Sequence, residues 1–266
     1  MNRLVALMSQ RLLLLLLALF IAMPLCVVVA ISFNATSRMV FPPDAWSLRW
    51  YQDFFSDPGW VAAFERSVAI AALASLLATS IALPLAFIAW QRRSRLARLL
   101  SGAGTMPFML PPVIIAILFM LLWGFLRHVG QIENTIISHG MTFLALPLVL
   151  LSLGFKQIDS SLVEAARTLG ARQRHIISGI VLPLITPYIA SSLIFVAILS
   201  MNEYLIAYMV AGFTVETLPV KVFSSLRTGF TPTMCVGAVL FMLVGLMGFI
   251  AIAWLDNLPR LLGGKH

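Results

Sequence analysis

One acidic side chain stands out because it falls inside a predicted membrane span. Glu203 lies between Asn202 and Tyr204, within the apolar run Leu184–Val210. A carboxylate at membrane depth is energetically costly, so such a residue is a candidate functional group. It could line a substrate passage with Asn202 and Tyr204 and provide a counter-charge for a cation. It could equally form a structural hydrogen bond to a neighbouring span, and the sequence leaves both interpretations open.

Motifs for enzymatic chemistry do not occur in the sequence. It has no G-x-x-x-x-G-K-[ST] loop for nucleotide phosphates, and no G-x-S-x-G or H-E-x-x-H pattern. The four histidines show no ligand spacing, and the two cysteines, Cys26 and Cys235, lie inside long apolar runs. We therefore predict no catalytic residue, no metal site and no cofactor site in this chain.

The segment Lys156–Pro183 has the pattern of two short helices joined by a turn. Asp159, Ser160 or Ser161 can cap the first helix, and Glu164 follows within its first two turns. Four apolar side chains fall on one side of this helix at helical spacing: Leu162, Ala165, Ala166 and Leu169.

The second half of this segment is basic. Gly170 is placed to end the first helix as a C′ glycine, and the second helix, Arg172–Ile180, carries positive charges. Pro183 marks the entry to the next span. The segment is too polar for lipid and too apolar on one face to stand alone, so we expect a cytoplasmic partner.

The composition requires lipid as part of the solvent. Of the 266 residues, 61% are apolar and 11% are charged, and the mean hydropathy is +0.99. These values exclude a soluble enzyme, a secreted disulfide scaffold and a disordered chain. The formal charge of +8 does not indicate nucleic acid, because the basic residues cluster beside apolar runs.

Six apolar runs approach the length of about 20 residues that a membrane helix needs. They are Leu12–Phe33, Ser67–Trp90, Thr105–Leu126, Thr135–Phe155, Leu184–Val210 and Met234–Leu255. The second run has small residues near one helical face, which favours close helix packing: Ala71, Ser75, Thr79, Ala82 and Ala86. We predict an all-α membrane protein with one transmembrane domain over residues 1–266.

The orientation follows from the basic residues, which favour the cytoplasmic side. With the N-terminus inside, the inner segments hold 12 Lys and Arg and the outer loops hold 6. The inner set includes Arg93 in the arginine-rich Gln91–Gly104 loop, and Arg260 and Lys265 near the C-terminus. Both termini are therefore predicted to be cytoplasmic.

The first outer loop, Asn34–Arg66, is rich in aromatic residues. They are Trp46, Trp50, Tyr51, Phe54, Phe55 and Trp60. The pattern favours a helix in the headgroup region, and a docking surface for an external partner is the alternative.

The segment after the fourth span resembles a motif of bacterial ABC-importer permease subunits, E-A-A-x3-G-x9-I-x-L-P. All seven specified positions match: Glu164, Ala165, Ala166, Gly170, Ile180, Leu182 and Pro183. The pair Trp50-Tyr51 and the segment Leu218–Ser224 resemble the spermidine/putrescine permease branch, which includes opine-type transporters. Polyamine permeases of this branch often have two adjacent acids where this chain has Asn202-Glu203.

The resemblance implies a fold, partners and a function. The fold would be a type I (MetI-like) importer permease in the bacterial inner membrane. The partners would be a second permease subunit, two ATP-binding cassette subunits that hold ATP and Mg²⁺, and a periplasmic or lipid-anchored binding protein. Residues 156–183, with Arg172 and Arg174, would couple to the ATPase. A polyamine-like cation is the expected substrate; a secondary transporter and a non-transport membrane scaffold are the alternatives.

The orientation can be tested with single cysteines. Because the inner segments hold most of the basic residues, Ser94→Cys should react with a membrane-impermeant thiol reagent only after permeabilisation, and Ser56→Cys should react from outside. The reverse labelling pattern would contradict the predicted topology.

Overall fold

The computed structural model describes residues 2–92 and 94–255, so Arg93, Arg260 and Lys265 lie outside the described residues. The first seven helices are α1 Asn2–Ser32, α2 Arg49–Ser56, α3 Pro58–Arg92, α4 Arg95–Met109, α5 Pro112–Phe125, α6 Ile132–Thr142 and α7 Ala145–Lys156. The others are α8 Ser160–Thr168, α9 Gln173–Ile176, α10 Leu182–Asn202, α11 Leu205–Ala211, α12 Leu218–Thr228 and α13 Thr233–Leu255, with a π-helical turn over Ile177–Val181. The described ranges contain no β-strand, which confirms the all-α class.

Six candidate spans are present when bent helix pairs are counted as one span each. Four continuous helices qualify: Gln10–Ser32, Pro58–Arg92, Gln173–Asn202 and Thr233–Trp254. The two bent pairs are α4 with α5, at 109°, and α6 with α7, at 45°. The number of spans agrees with the prediction.

The third and fourth predicted spans are each a bent pair of helices, and proline explains both breaks. Between α4 and α5, Pro111 and Pro112 lack backbone N–H groups, and Leu110 before them is extended. Between α6 and α7, Pro147 cannot donate to the carbonyl of Phe143, four residues earlier. Each helix therefore stops and restarts at a new angle.

The chain divides into two compact units. The first unit is Met1–Ala62 with Val222–Leu243. There the aromatic loop packs on itself: Trp50 donates from Nε1 to the carbonyl of Asn34 at 2.6 Å, and fully buried Phe54 contacts Trp60 at a ring-centroid distance of 5.4 Å. The aromatic residues therefore divide into an inward set and an exposed set, the latter including Trp46 and Phe55.

The second unit, Ala63–Lys221 with Val244–His266, contains the predicted small-residue face of α3. All five of its members are at most 4% exposed: Ala71, Ser75, Thr79, Ala82 and Ala86. Ala82 and Ala86 lie in one apolar cluster with Phe155 of α7 and Tyr188 of α10. Small side chains on α3 thus allow close packing within the core that holds α7 and α10, as predicted.

The crossing of α7 and α10 depends on a glycine. A Cβ added to Gly154 would lie 2.7 Å from ring carbons of Tyr188, which is less than van der Waals contact. The Tyr188 hydroxyl donates to Oε1 of Gln157 at 2.6 Å, which holds the ring over this position. The ring therefore has little freedom to move away from an added methyl group.

We expect Gly154→Ala to separate α7 from α10. Overpacking of this kind destabilises by about 1–3 kcal/mol, and the thermal unfolding midpoint of the purified protein should fall. Gly124→Ala is the matched control, because nothing lies within 4 Å of a Cβ there and alanine favours the helix. Equal midpoints for the two variants would contradict this packing account.

Candidate functional site

The segment Lys156–Pro183 begins with a capped helix, α8. Of the three predicted caps the structure uses Asp159, whose carboxylate accepts from the backbone N–H of Ser161 at 2.9 Å. Hydrogen bonds from Ser161 hold the pKa of the Asp159 carboxyl below its ordinary value. The cap therefore remains ionised at neutral pH, and its negative charge interacts favourably with the positive end of the helix dipole.

Gly170 ends α8 in the predicted way. Its φ is +81°, in the left-handed region that glycine adopts without strain. The N–H of Gly170 donates to the carbonyl of Arg167, and the N–H of Ala171 donates to that of Ala166, both at 3.0 Å. This pair of bonds is a Schellman motif, so the turn after α8 has a defined geometry.

The second predicted helix, Arg172–Ile180, is not separate from the next span. Helix α9 runs through the π-helical turn Ile177–Val181 directly into α10, which makes one continuous run, Gln173–Asn202. Pro183 lacks an N–H, so the carbonyl four residues earlier loses its usual partner, and a π-helical turn accommodates that mismatch. The expectation of a separate second helix is therefore corrected, and Pro183 as the entry to the membrane span stays a prediction.

The segment is held to the second unit by two apolar side chains. Val163 of α8 and Ile176 of α9 are 8% and 2% exposed and belong to the same cluster as Phe155 and Ile158. The sequence analysis did not single out either residue. Their side chains fix both short helices onto the core and leave the opposite face in solvent.

The exposed face carries most of the predicted coupling residues. The exposed members of the set are Glu164, Ala165, Gly170, Arg172, Arg174, Leu182 and Pro183, whereas Ala166 and Ile180 are partly buried against the core. Leu162 and Leu169, on the predicted apolar side of α8, are 51% and 87% exposed. The two leucines therefore add exposed apolar surface to a face that otherwise carries charged side chains.

The fifth predicted span, Leu184–Val210, is interrupted at Glu203. Helix α10 ends at Asn202, Glu203 is extended, and α11 begins at Leu205. The Oε2 atom of Glu203 accepts from the backbone N–H groups of Ile206 at 2.8 Å and Ala207 at 3.1 Å. The carboxylate therefore satisfies two donors at the start of α11 that have no partner within the helix.

A buried histidine contacts the same carboxylate. His139 of α6 is 1% exposed, and its Nε2 lies 3.3 Å from Oε2 of Glu203, a close contact that does not meet the geometry of a hydrogen bond. Its Nδ1 lies 2.8 Å from Oγ of Ser200 on α10. His139 thus links α6 to both sides of the break, and the sequence analysis missed it because 64 positions separate it from Glu203.

The two other predicted pathway residues lie at this break. Asn202 is exposed, and Tyr204 stacks on Tyr208 with ring centroids 5.5 Å apart and planes 20° apart. Tyr208 in turn contacts Phe213 at 5.7 Å, and Phe213 is 88% exposed. The break therefore places an amide and a row of aromatic rings beside the capped carboxylate.

Comparisons with known proteins agree with this architecture. The profile of the binding-protein-dependent transport system inner membrane component family matches residues 78–260. The putrescine transport system permease protein PotI of Escherichia coli is 35% identical over 244 residues, covering 87% of this chain and 85% of the relative. The spermidine/putrescine transport system permease protein PotC of Haemophilus influenzae is 29% identical, covering 80% and 82%.

Two solved structures share the fold. A chain of a bacterial ABC transporter that imports the acidic polysaccharide alginate superposes with a TM-score of 0.68 at 18% identity, covering 94% of each chain. A chain of the inward-facing MetNI methionine ABC transporter gives 0.60 at 16% identity, covering 74% of this chain and 96% of that one. The chain therefore belongs to the family of binding-protein-dependent transport system inner membrane components and is a permease subunit of an ABC importer.

Proposed function

We propose that this chain forms half of the translocation pathway for a polyamine, such as putrescine or spermidine, or a related cation. The observation that carries the proposal is the 35% identity to a putrescine permease over 87% of the chain. A binding protein outside the membrane would deliver the substrate. A second permease subunit would complete the pathway, both termini would be cytoplasmic, and two ATPase subunits would bind and hydrolyse ATP with Mg²⁺.

The exposed face of α8 supports a coupling role for residues 156–183. Leu162 and Leu169 offer apolar contact, and Glu164, Arg172 and Arg174 offer charges around it. Docking of this face into a groove of the ATPase would bury the leucines. A push on α8 would reach α10 because helix Gln173–Asn202 is continuous over 30 residues, which is about 45 Å.

The helix would deliver that motion to the break at Glu203. A helix that changes direction at a capped break can move as two rigid parts, which suits alternating access. The exposed amide of Asn202 and the rings of Tyr204 and Tyr208 would face the substrate, since aromatic faces attract ammonium groups. Glu203 would act mainly as the cap of α11, because its Oε2 atom already serves two backbone donors.

Reconstituted transport tests the proposal against its alternatives. Proteoliposomes would contain this chain with its partner permease, the ATPase and the binding protein, and labelled putrescine would be the probe. We expect uptake that requires ATP and the ATPase and that spermidine inhibits. Uptake without the ATPase would indicate a secondary transporter, and no uptake of any solute by the intact assembly would indicate a scaffold.

Gly170→Pro should uncouple the ATPase from transport. Proline holds φ near −65°, whereas this position has +81°, so the Schellman turn cannot form and the face of α8 is misplaced. Uptake should fall at least tenfold while the subunits still purify together. Gly170→Asn is the control, because asparagine tolerates the left-handed region and should keep most of the activity. Normal ATP-driven uptake by the proline variant would contradict the coupling role.

Replacement of Glu203 distinguishes a cap from a counter-charge. Glutamine retains an oxygen that can accept from Ile206 and Ala207, so Glu203→Gln should keep uptake within about threefold of wild type. Glu203→Ala leaves those two donors unpaired, and each buried unpaired donor destabilises the fold by about 1–3 kcal/mol. This variant should therefore lower both uptake and thermal stability. Severe loss of uptake by the glutamine variant, in a complex of normal stability, would instead support the counter-charge role.

A further inference from the structure

A cavity with charged side chains at its opening lies where α3, α4 and α7 meet, at the ends that the predicted orientation assigns to the cytoplasm. Its volume is about 270 Å³, several times the roughly 30 Å³ of one water molecule. Arg98 and Ser101 of α4, Ser152 and Lys156 of α7, and Trp90 of α3 line it, and two alanines of α3 complete it. The fold thus gathers two cations and two hydroxyl groups around one opening.

Within the described ranges, no acidic side chain balances the charge in this cavity. No acidic residue lines it, and neither Arg98 nor Lys156 takes part in an ion pair within the described ranges. Two unpaired cations on one opening repel each other, and an anion between them removes that repulsion. Guanidinium and ammonium groups are the usual partners of a phosphate.

A second cavity continues from the first along the groove between α4 and α7. It measures about 280 Å³ and shares Ser101, Ser152 and Lys156 with the first cavity. Its other lining residues are Gly102 and Thr105 of α4 and Leu148, Val149 and Leu153 of α7. Along α7 the three apolar residues lead away from Lys156, towards the middle of the predicted span, so apolar side chains of α7 follow the charged opening along this groove.

The surroundings are those of a membrane interface. Trp90 is near the end of α3 and stacks on Phe155 with ring centroids 5.4 Å apart, and tryptophan favours the headgroup region. Leu99 and Leu100 on α4 are 71% and 47% exposed beside Arg98, where acyl chains would cover them. A free phosphate ion would not use these apolar surfaces.

We propose that these joined cavities bind one anionic glycerophospholipid, with its phosphate between Arg98 and Lys156 and an acyl chain in the groove between α4 and α7. Basic pockets between helices on the cytoplasmic side suit such headgroups. Lys156 is three residues from the Asp159 cap, so the bound lipid also steadies the start of the coupling segment. This site does not depend on the identity of the transported substrate.

Native mass spectrometry of the assembled importer in detergent tests the site, with phosphatidylglycerol as the probe. Removing both charges, in Arg98→Gln with Lys156→Gln, should weaken phosphatidylglycerol binding about thirtyfold. Arg95→Gln is the matched control, since Arg95 is an exposed arginine of the same helix that does not line the cavity, and it should bind like wild type. Phosphatidylcholine should bind much more weakly, and 10 mM inorganic phosphate, a concentration chosen for the assay, should not displace the lipid.

Three results would overturn the proposal. If Arg95→Gln weakens phosphatidylglycerol binding as much as the double variant does, the lipid is attracted to diffuse surface charge and not to this site. Equal binding of phosphatidylcholine would show that net headgroup charge is not recognised. Displacement by inorganic phosphate would indicate a site for a free anion.

Discussion

The break at Glu203 imposes the constraint on which the rest of the second unit depends. Where a helix stops among packed neighbours, its freed backbone groups need hydrogen-bond partners, because burying them without partners is costly. Here the carboxylate of Glu203 accepts from Ile206 and Ala207, and His139 approaches the same oxygen from α6. One side chain thereby fixes where α10 ends, how α11 begins and which face of α6 lies against them.

Helix α10 connects the break at Glu203 to the proposed coupling segment. Helix α10 is continuous with α9 and the π-helical turn, so the run from Gln173 to Asn202 has a coupling turn at one end and the capped break at the other. Val163 and Ile176 anchor the coupling end, and the Schellman turn at Gly170 sets the direction of α8. Under the proposed coupling role, this arrangement would carry a small displacement at the exposed face to the break at Glu203.

Local patterns were predictable from the sequence, and long-range contacts were not. Helix caps and glycine turns involve neighbours within five residues, so the spacing was enough to predict Gly170 and to narrow the cap to Asp159, Ser160 or Ser161. The face of small residues on α3 could be predicted because those residues recur at helical spacing. Pro111 and Pro147 are visible in the sequence, but the angle at each break and the fusion of α9 with α10 depend on packing between helices, which composition does not reveal. The approach of His139 to Glu203 joins residues 64 positions apart, and no local signal marks it.

Hydrogen–deuterium exchange at the start of α11 tests the central claim most directly. The assembled complex would be compared with its Glu203→Ala variant and with Glu133→Ala, a control at an acid whose side chain is half exposed. A hydrogen bond to a charged group contributes about 1.5–3 kcal/mol, so the amides of Ile206 and Ala207 should exchange at least about tenfold faster in Glu203→Ala. The control should leave their protection unchanged. Unchanged protection in Glu203→Ala would contradict the account, because the carboxylate would not then be what holds α11 in place.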